Sequence, residues 1–239
     1  MRHPHQEQTL FVMLKEYKAH VEERAEKDIP PLPLNAEQVA SLVELIKEPP
    51  SGEEDFLLDL LTNRTPAGVD PAAYIKAAFL TDIAKGTADS PLIDKKHATE
   101  LLGTMLGGYN VESLIELLED EEVGSIAADG LSNTLLMFNA KHDVIELSKK
   151  NKNAKRVVDA WANAEWFTNK PELPEVIKAI VFKVDGEINT DDLSPAQDAP
   201  SRPDIPLHAL AMLKKTFKDP IDTINKLEES GLPVVFVGD

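Results

Sequence analysis

The stretch of this chain best equipped for chemistry runs from Gly186 to Pro206. It sets four carboxylates (Glu187, Asp191, Asp192 and Asp198) ahead of a single guanidinium, Arg202, in a polar loop punctuated by Pro195, Pro200, Pro203 and Pro206. Proline reduces the conformational entropy a loop loses on ordering, so such a loop can hold side chains in fixed positions. Arg202 stands out because its planar fork suits bidentate recognition of a carboxylate. The residues alone leave two readings open: Arg202 grips a ligand carboxylate, or it pairs internally with Asp204 or Asp192 and shapes the loop.

Elsewhere the chemistry is sparse. The sequence contains no cysteine, so a disulfide, a thiolate nucleophile, a Cys-ligated zinc and an iron–sulfur cluster held by this chain are all excluded. The six histidines (His3, His5, His20, His97, His142 and His208) are scattered, with no pair at i, i+4. His3 and His5 read as an untethered tail or as an adventitious metal ligand pair. No nucleophile–base pair, phosphate-cradling glycine loop or metal-ligand spacing stands out, so a complete hydrolase or lyase has little support. The two tryptophans, Trp161 and Trp166, are expected as core anchors between helices rather than as a ligand cage.

The chain of 239 residues carries 25 Lys+Arg against 42 Asp+Glu, a formal charge of −17. Such a field repels phosphate backbones and anionic lipid. With 42% hydrophobic and 28% charged residues the composition is that of a folded protein, not a disordered one. No run approaches the roughly 20 apolar residues of a membrane helix, and no secretory signal opens the sequence. A soluble, cytoplasmic protein with no membrane partner is expected. A basic cluster at Lys149, Lys150, Lys152, Lys155 and Arg156 reads as a solvated helix face rather than an RNA-binding patch.

The elements that must position these residues fall into two kinds. From about residue 6 to 167 the pattern is helix after helix. Asn35 reads as an N-cap with Gln38 three residues on, ahead of Val39, Leu42, Val43 and Ile46 on one face. Pro49-Pro50 stops that helix, and Ser51 with Glu54 predicts a second capping box before Phe56, Leu57, Leu60 and Leu61. Asp70-Pro71 predicts a cap and first helical residue for a helix ending near Gly86. Further helices are predicted through Leu101 to Met105, Leu114 to Leu118, Ile126 to Phe138 and Asn153 to Phe167. The similarity of Phe56–Leu61 to Ser113–Leu118, each on the middle helix of three, suggests stacked repeats; chance likeness of leucine-rich helices is the alternative.

Composition changes at Asn169-Lys170-Pro171-Glu172-Leu173-Pro174. Beyond it, Val176–Val184 and Leu232–Val237 read as strands, with helices near Leu207–Thr216 and Ile221–Ser230. Two strands and two helices do not close a sheet, so this segment reads as the opening piece of a larger α/β domain whose edge needs covering.

Thr190-Asp191-Asp192-Leu193-Ser194-Pro195-Ala196, followed by Ser201-Arg202-Pro203-Asp204-Ile205-Pro206-Leu207, resembles the start of the swivel domain of the bacterial aconitase B family. Residues 44–64, 101–110, 134–138 and 161–167 are similar to that family's N-terminal helical domain, so the resemblance runs from about Met13 to the last residue. It implies a mainly α fold: an extension at 1–12, a HEAT-like stack of helices at 13–168, a linker at 169–175 and an incomplete α/β swivel segment at 176–239. The family is a bifunctional aconitate hydratase and 2-methylisocitrate dehydratase that interconverts citrate and isocitrate through cis-aconitate, as a hydro-lyase of the TCA cycle. Its catalytic domains hold a 4Fe-4S cluster whose iron acts as Lewis acid.

The resemblance also implies that Arg202 is a substrate-carboxylate ligand in the intact enzyme, and that a Gly-Thr-Gly-Ser-Ser-Arg motif follows Gly238-Asp239. Cluster cysteines and catalytic serine are not in this chain, so it is expected to hold no catalytic residue, no metal and no cofactor, and to be inactive alone. Its expected roles are homodimerisation, contacts with other TCA-cycle enzymes and control of active-site access, with only weak RNA binding. The alternative is a self-standing helical-repeat interaction module with no enzymatic role.

Overall fold

The computed structural model describes residues 4–135, 137, 140–202 and 204–238, with side chains from Thr9 onward. It is mainly helical, with thirteen α-helices and two strands among the described residues. The chain divides into two compact units, one made of the chain to Glu23 with Pro31–Lys170, the other of Arg24–Pro30 with the chain from Pro171.

In the helical unit, α1 (Pro4–Ala25, its last two residues belonging to the second unit) precedes α2 (Ala36–Lys47), α3 (Glu54–Asn63) and α4 (Pro71–Ala84). The Asn35 cap is formed as predicted: its Oδ1 accepts from Gln38 N at 2.9 Å, and Gln38 Oε1 accepts from Asn35 N at 3.0 Å. Asp70 caps α4 by accepting from Ala72 N at 2.8 Å, with Pro71 at the first helical position. The predicted Ser51–Glu54 box is not formed. Gly52, at φ +88°, turns the chain tightly, α3 starts only at Glu54, and Glu54 reaches back to accept from Gly52 N at 2.7 Å.

Then follow α5 (Lys95–Gly103), α6 (Val111–Leu117), α7 (Gly124–Ser132), α8 (Lys141–Leu147), α9 (Lys152–Ala162) and α10 (Glu165–Thr168). The helix predicted to reach Phe138 ends at Ser132, and Phe138 itself lies outside the described residues. The helix predicted over 153–167 is broken: α9 stops at Ala162, and Ala164 turns left-handed at φ +51° before α10. The break separates the tryptophans. Trp161 packs on the core and donates from Nε1 to the Leu131 carbonyl at 3.0 Å, whereas Trp166 is 38% exposed and anchors no core.

The helices pack in series, α2 on α4, α4 on α5, α5 on α7 and α7 on α9. Burial of each apolar face thus depends on its neighbours along the stack. At the α5–α7 crossing the backbones nearly touch: a Cβ on Gly130 would lie 2.8 Å from Gly103 Cα. In the middle of the stack, α4 buries Ala73, Ala77, Leu80 and Ala84, and with them Lys76, only 3% exposed. Among the described residues no hydrogen bond or ion pair engages the Lys76 ammonium, and burial lowers its pKa to about 8.

In the second unit, β1 (Ile180–Lys183) and β2 (Val234–Val237) pair in parallel, with Ile180 opposite Val234 and Lys183 opposite Val237. Between them lie α11 (Thr190–Leu193), a 3₁₀ segment Ala196–Ser201, α12 (Ile205–Ala209) and α13 (Pro220–Glu228). β1 is shorter than the predicted 176–184, and Val176 and Ile177 are exposed. The helix predicted over 207–216 stops at Ala209, because Leu213 turns left-handed at φ +57° to donate its N–H to the Asp192 carbonyl at 2.8 Å. The core here is small: Phe182, Val184, Leu213 and Ile224, with Phe217 and Phe236 packed against Phe182.

Candidate functional site in the proline-rich loop

Most of the carboxylates singled out in the 186–206 loop are engaged in holding the loop itself. Asn189 caps α11, its Oδ1 accepting from Asp191 N at 2.8 Å and Asp192 N at 3.1 Å. Asp192 Oδ2 returns the favour by accepting from Asn189 N at 3.1 Å, which closes a capping box. Asp191 Oδ1 accepts from Ala196 N at 3.1 Å and so pins the start of the 3₁₀ segment. Asp204 caps α12 through Leu207 N at 3.0 Å. Both Asp204 oxygens also receive the fork of Arg24, at 2.7 and 3.0 Å. Sequence reasoning missed Arg24 altogether: 180 positions separate the partners, and no local pattern marks the pairing.

With Asp204 in the Arg24 fork and Asp192 in the α11 cap, Arg202 makes a different contact from either internal pair considered above. Its Nη1 donates to the Leu207 carbonyl at 3.1 Å, and the residue is half-buried. Around it the structure gathers Asp198, Lys214, His208 and Ser194. Asp198 is only 8% exposed, and its Oδ1 pairs with Lys214 Nζ. The Lys214 hydrogen bond, aided by the charges of Lys214, Arg202 and His208, holds the Asp198 carboxyl below the usual carboxylate range. Ser194 Oγ and His208 Nε2 are hydrogen-bonded at 3.1 Å. Two buried atoms of the cluster, Asp198 Oδ2 and His208 Nδ1, have no hydrogen-bond partner among the described residues.

Asp198 thus sits among the Lys214 ammonium, the Arg202 guanidinium and the His208 imidazole, in a loop that also carries Glu187, Asp191, Asp192 and Asp204. Arg202 uses one of its five N–H groups on Leu207, which leaves the guanidinium donors for a ligand. Lys214, His208 and Ser194 were not singled out from the sequence. Their place in the loop depends on the turn at Leu213, which sequence periodicity reads as helix.

Other features weighed in the sequence resolve plainly. In the basic cluster, Lys149 pairs with Glu146 at 2.6 Å, Lys150 with Glu119 at 3.9 Å, Lys155 with Asp159 at 2.7 Å, and Arg156 with Asp129. His3 and the His5 side chain lie outside the described residues. Among the described residues no group of three or more His, Asp or Glu could hold a metal ion, and no helix is long and apolar enough to cross a membrane. An iron–sulfur cluster does not fit the donors of this chain, which has no thiolate to offer.

Fold and loop together define a serial stack of helices and a small parallel α/β unit whose proline-rich loop carries Arg202. The family described as the aconitate B N-terminal domain matches residues 16–167, and that described as the aconitate hydratase 2 N-terminus matches residues 179–239. The chain belongs to the aconitase B family, of which it is an N-terminal region. It is 59% identical over 238 residues to aconitate hydratase B of Pseudomonas aeruginosa, covering 95% of this chain and 27% of that protein. Identity to aconitate hydratase B of Escherichia coli K12 is 57%, covering 95% and 28%, and to that of Helicobacter pylori 48%, covering 95% and 27%. The chain thus spans about a quarter of the length of these relatives.

Proposed function

We propose that this chain is the N-terminal region of an aconitase-type hydro-lyase, in which the second unit contributes a substrate-carboxylate grip and the helical unit serves self-association and access to the active site. The grip centres on Arg202, with Lys214 and His208 adding positive potential, and its ligand is a tricarboxylate of the citrate or isocitrate kind. The chemistry of dehydration belongs to parts of the relatives outside this region, so the chain alone does not turn over citrate. The helical unit's expected assembly is a homodimer in the cytoplasm. RNA is not expected as a ligand of this region, since four of its five clustered cations carry acidic partners.

The observation that carries the reading is the grouping of Arg202, Lys214 and His208 at the proline-rich loop, within the stretch that matches the family. Its test is steady-state kinetics of an intact enzyme containing this region. Arg202→Ala is expected to lower kcat/KM for citrate by about tenfold to a hundredfold, as loss of a charge-assisted bidentate contact does. Arg202→Lys, which keeps the charge but loses the fork, should recover only part of it. Unchanged kinetics with an intact fold would remove Arg202 from the site.

A further inference from the structure

A cavity of about 710 Å³ in the helical unit lies between α4, α6 and the turn that joins α5 to α6. Its rim carries Tyr74 and Tyr109, stacked edge to face with centroids 5.1 Å apart and yet 58% and 41% exposed. Its floor holds the hydroxyls of Thr81 and Ser113, the first donating to the second at 2.7 Å. Asp82 and Glu112 complete the wall, and no lysine, arginine or histidine lines it. Among the described residues neither carboxylate has a cationic partner. One turn further along, by contrast, Glu116 is paired with Lys85.

The rim is preformed. Leu106, Gly107 and Gly108 all have positive φ, at +63°, +116° and +86°. A Cβ on Gly108 would lie 2.5 Å from the Gly68 carbonyl oxygen, so the turn is seated against the 66–69 loop. Asn110, fully buried, donates from Nδ2 to the Leu102 carbonyl at 2.7 Å and ties the base of the turn. This strained backbone holds Leu106 in solvent at 64% exposure, and Val69, which lies against Gly108, is 76% exposed. A left-handed leucine that packs into no core is a cost the fold itself does not explain. Exposed aromatic faces, two carboxylates without a cationic partner among the described residues (Asp82 Oδ1 accepts from Thr87 Oγ1 at 3.3 Å) and the exposed Leu106 on the same turn together match an alkyl-guanidinium side chain flanked by apolar residues.

We propose that this groove docks a basic, apolar-flanked segment of a partner protein, with an arginine side chain lying against Tyr74 and Tyr109 and its guanidinium between Asp82 and Glu112. Charge complementarity selects that occupant: the groove offers the exposed carboxylates of Asp82 and Glu112, and among the described residues no lysine, arginine or histidine lines it. The test is a titration of the full 239-residue chain, followed by amide NMR shifts, with acetyl-Leu-Arg-Ala-Leu-Arg-amide and with the same peptide carrying citrulline for arginine. Saturable shifts confined to 74–82 and 109–113 are expected for the arginine peptide, with the citrulline peptide about tenfold weaker because it keeps shape and loses charge. Asp82 and Glu112 are exposed, so Asp82→Asn with Glu112→Gln keeps the fold and should abolish that difference. Equal affinity for both peptides or shifts centred elsewhere would overturn the proposal. So would spermidine saturating these amides where the peptide does not, or a dimer of this chain that Tyr74→Ala dissociates.

Discussion

Lys76 offers the sharpest test of the energetics of the helical unit. Its side chain is buried on the face of α4 that also buries alanine, leucine and phenylalanine, with no counter-charge among the described residues, and burial lowers its pKa from 10.5 to about 8. At about 1.4 kcal/mol per tenfold change, that drop makes the charged form about 3 kcal/mol less favourable in the folded state than in the unfolded one. Below pH 8 Lys76 is charged in both states and the whole penalty is present. Between pH 8 and 10.5 the folded state sheds its proton first, so stability gains from this residue as pH rises. Above 10.5 the amine is neutral in both states and the penalty is gone. Lys76→Met keeps the unbranched stem and helix propensity while removing the charge. The variant should therefore be more stable than the parent by up to about 3 kcal/mol at pH 7, with the two converging near pH 10.5. Urea unfolding followed by tryptophan fluorescence reads this unit alone, since Trp161 and Trp166 both lie in it. The midpoint should shift without a change in slope. A variant no more stable at pH 7, or a difference independent of pH, would refute the burial argument.

Two further outcomes follow from the packing and the loop. Gly130→Ala should destabilise the helical unit by about 1–3 kcal/mol in the same assay. The Gly103 backbone at 2.8 Å cannot rotate away, which outweighs the roughly 1 kcal/mol of helix propensity gained, so a stabilised variant would disprove the close crossing. Asp198, held below the ordinary carboxylate range by Lys214, stabilises the second unit at neutral pH and loses that contribution as pH falls through its lowered pKa. In Asp198→Asn the hydrogen-exchange protection of the β1 and β2 amides should be lower at pH 7 and should fall less between pH 5 and 2. An unchanged acid profile would show that the Lys214 pair does not support the loop.

Much of the architecture was legible because it is closed over a few residues. The caps at Asn35 and Asp70 are hydrogen bonds to amides three and two positions on, and Pro71 acts on its own φ, so residue type and spacing settle them. Apolar residues at helical spacing likewise identified the faces of α2, α3 and α6, and the carboxylates Glu187, Asp191, Asp192 and Asp198 ahead of Arg202 in a proline-rich stretch marked the loop as chemically equipped. Local patterns failed where a distant contact overrides propensity. Ala164 and Leu213 leave the helical region although their neighbours are good helix formers, the latter to meet the Asp192 carbonyl from across the loop.

The sequence by itself thus determined the mainly helical class of the fold, the helix starts at Asn35 and Asp70 and the identity of the one guanidinium in the proline-rich loop, because those follow from residue type and interactions within one turn of chain. Tertiary structure alone decided which partners the charges take. Arg24 reached Asp204 across 180 positions, Lys214 came to Asp198 around a left-handed turn, and Lys76 lost its water to neighbours on other helices. Desolvation and ion pairing depend on what surrounds a group in space, and that is set only when the helices and strands have packed.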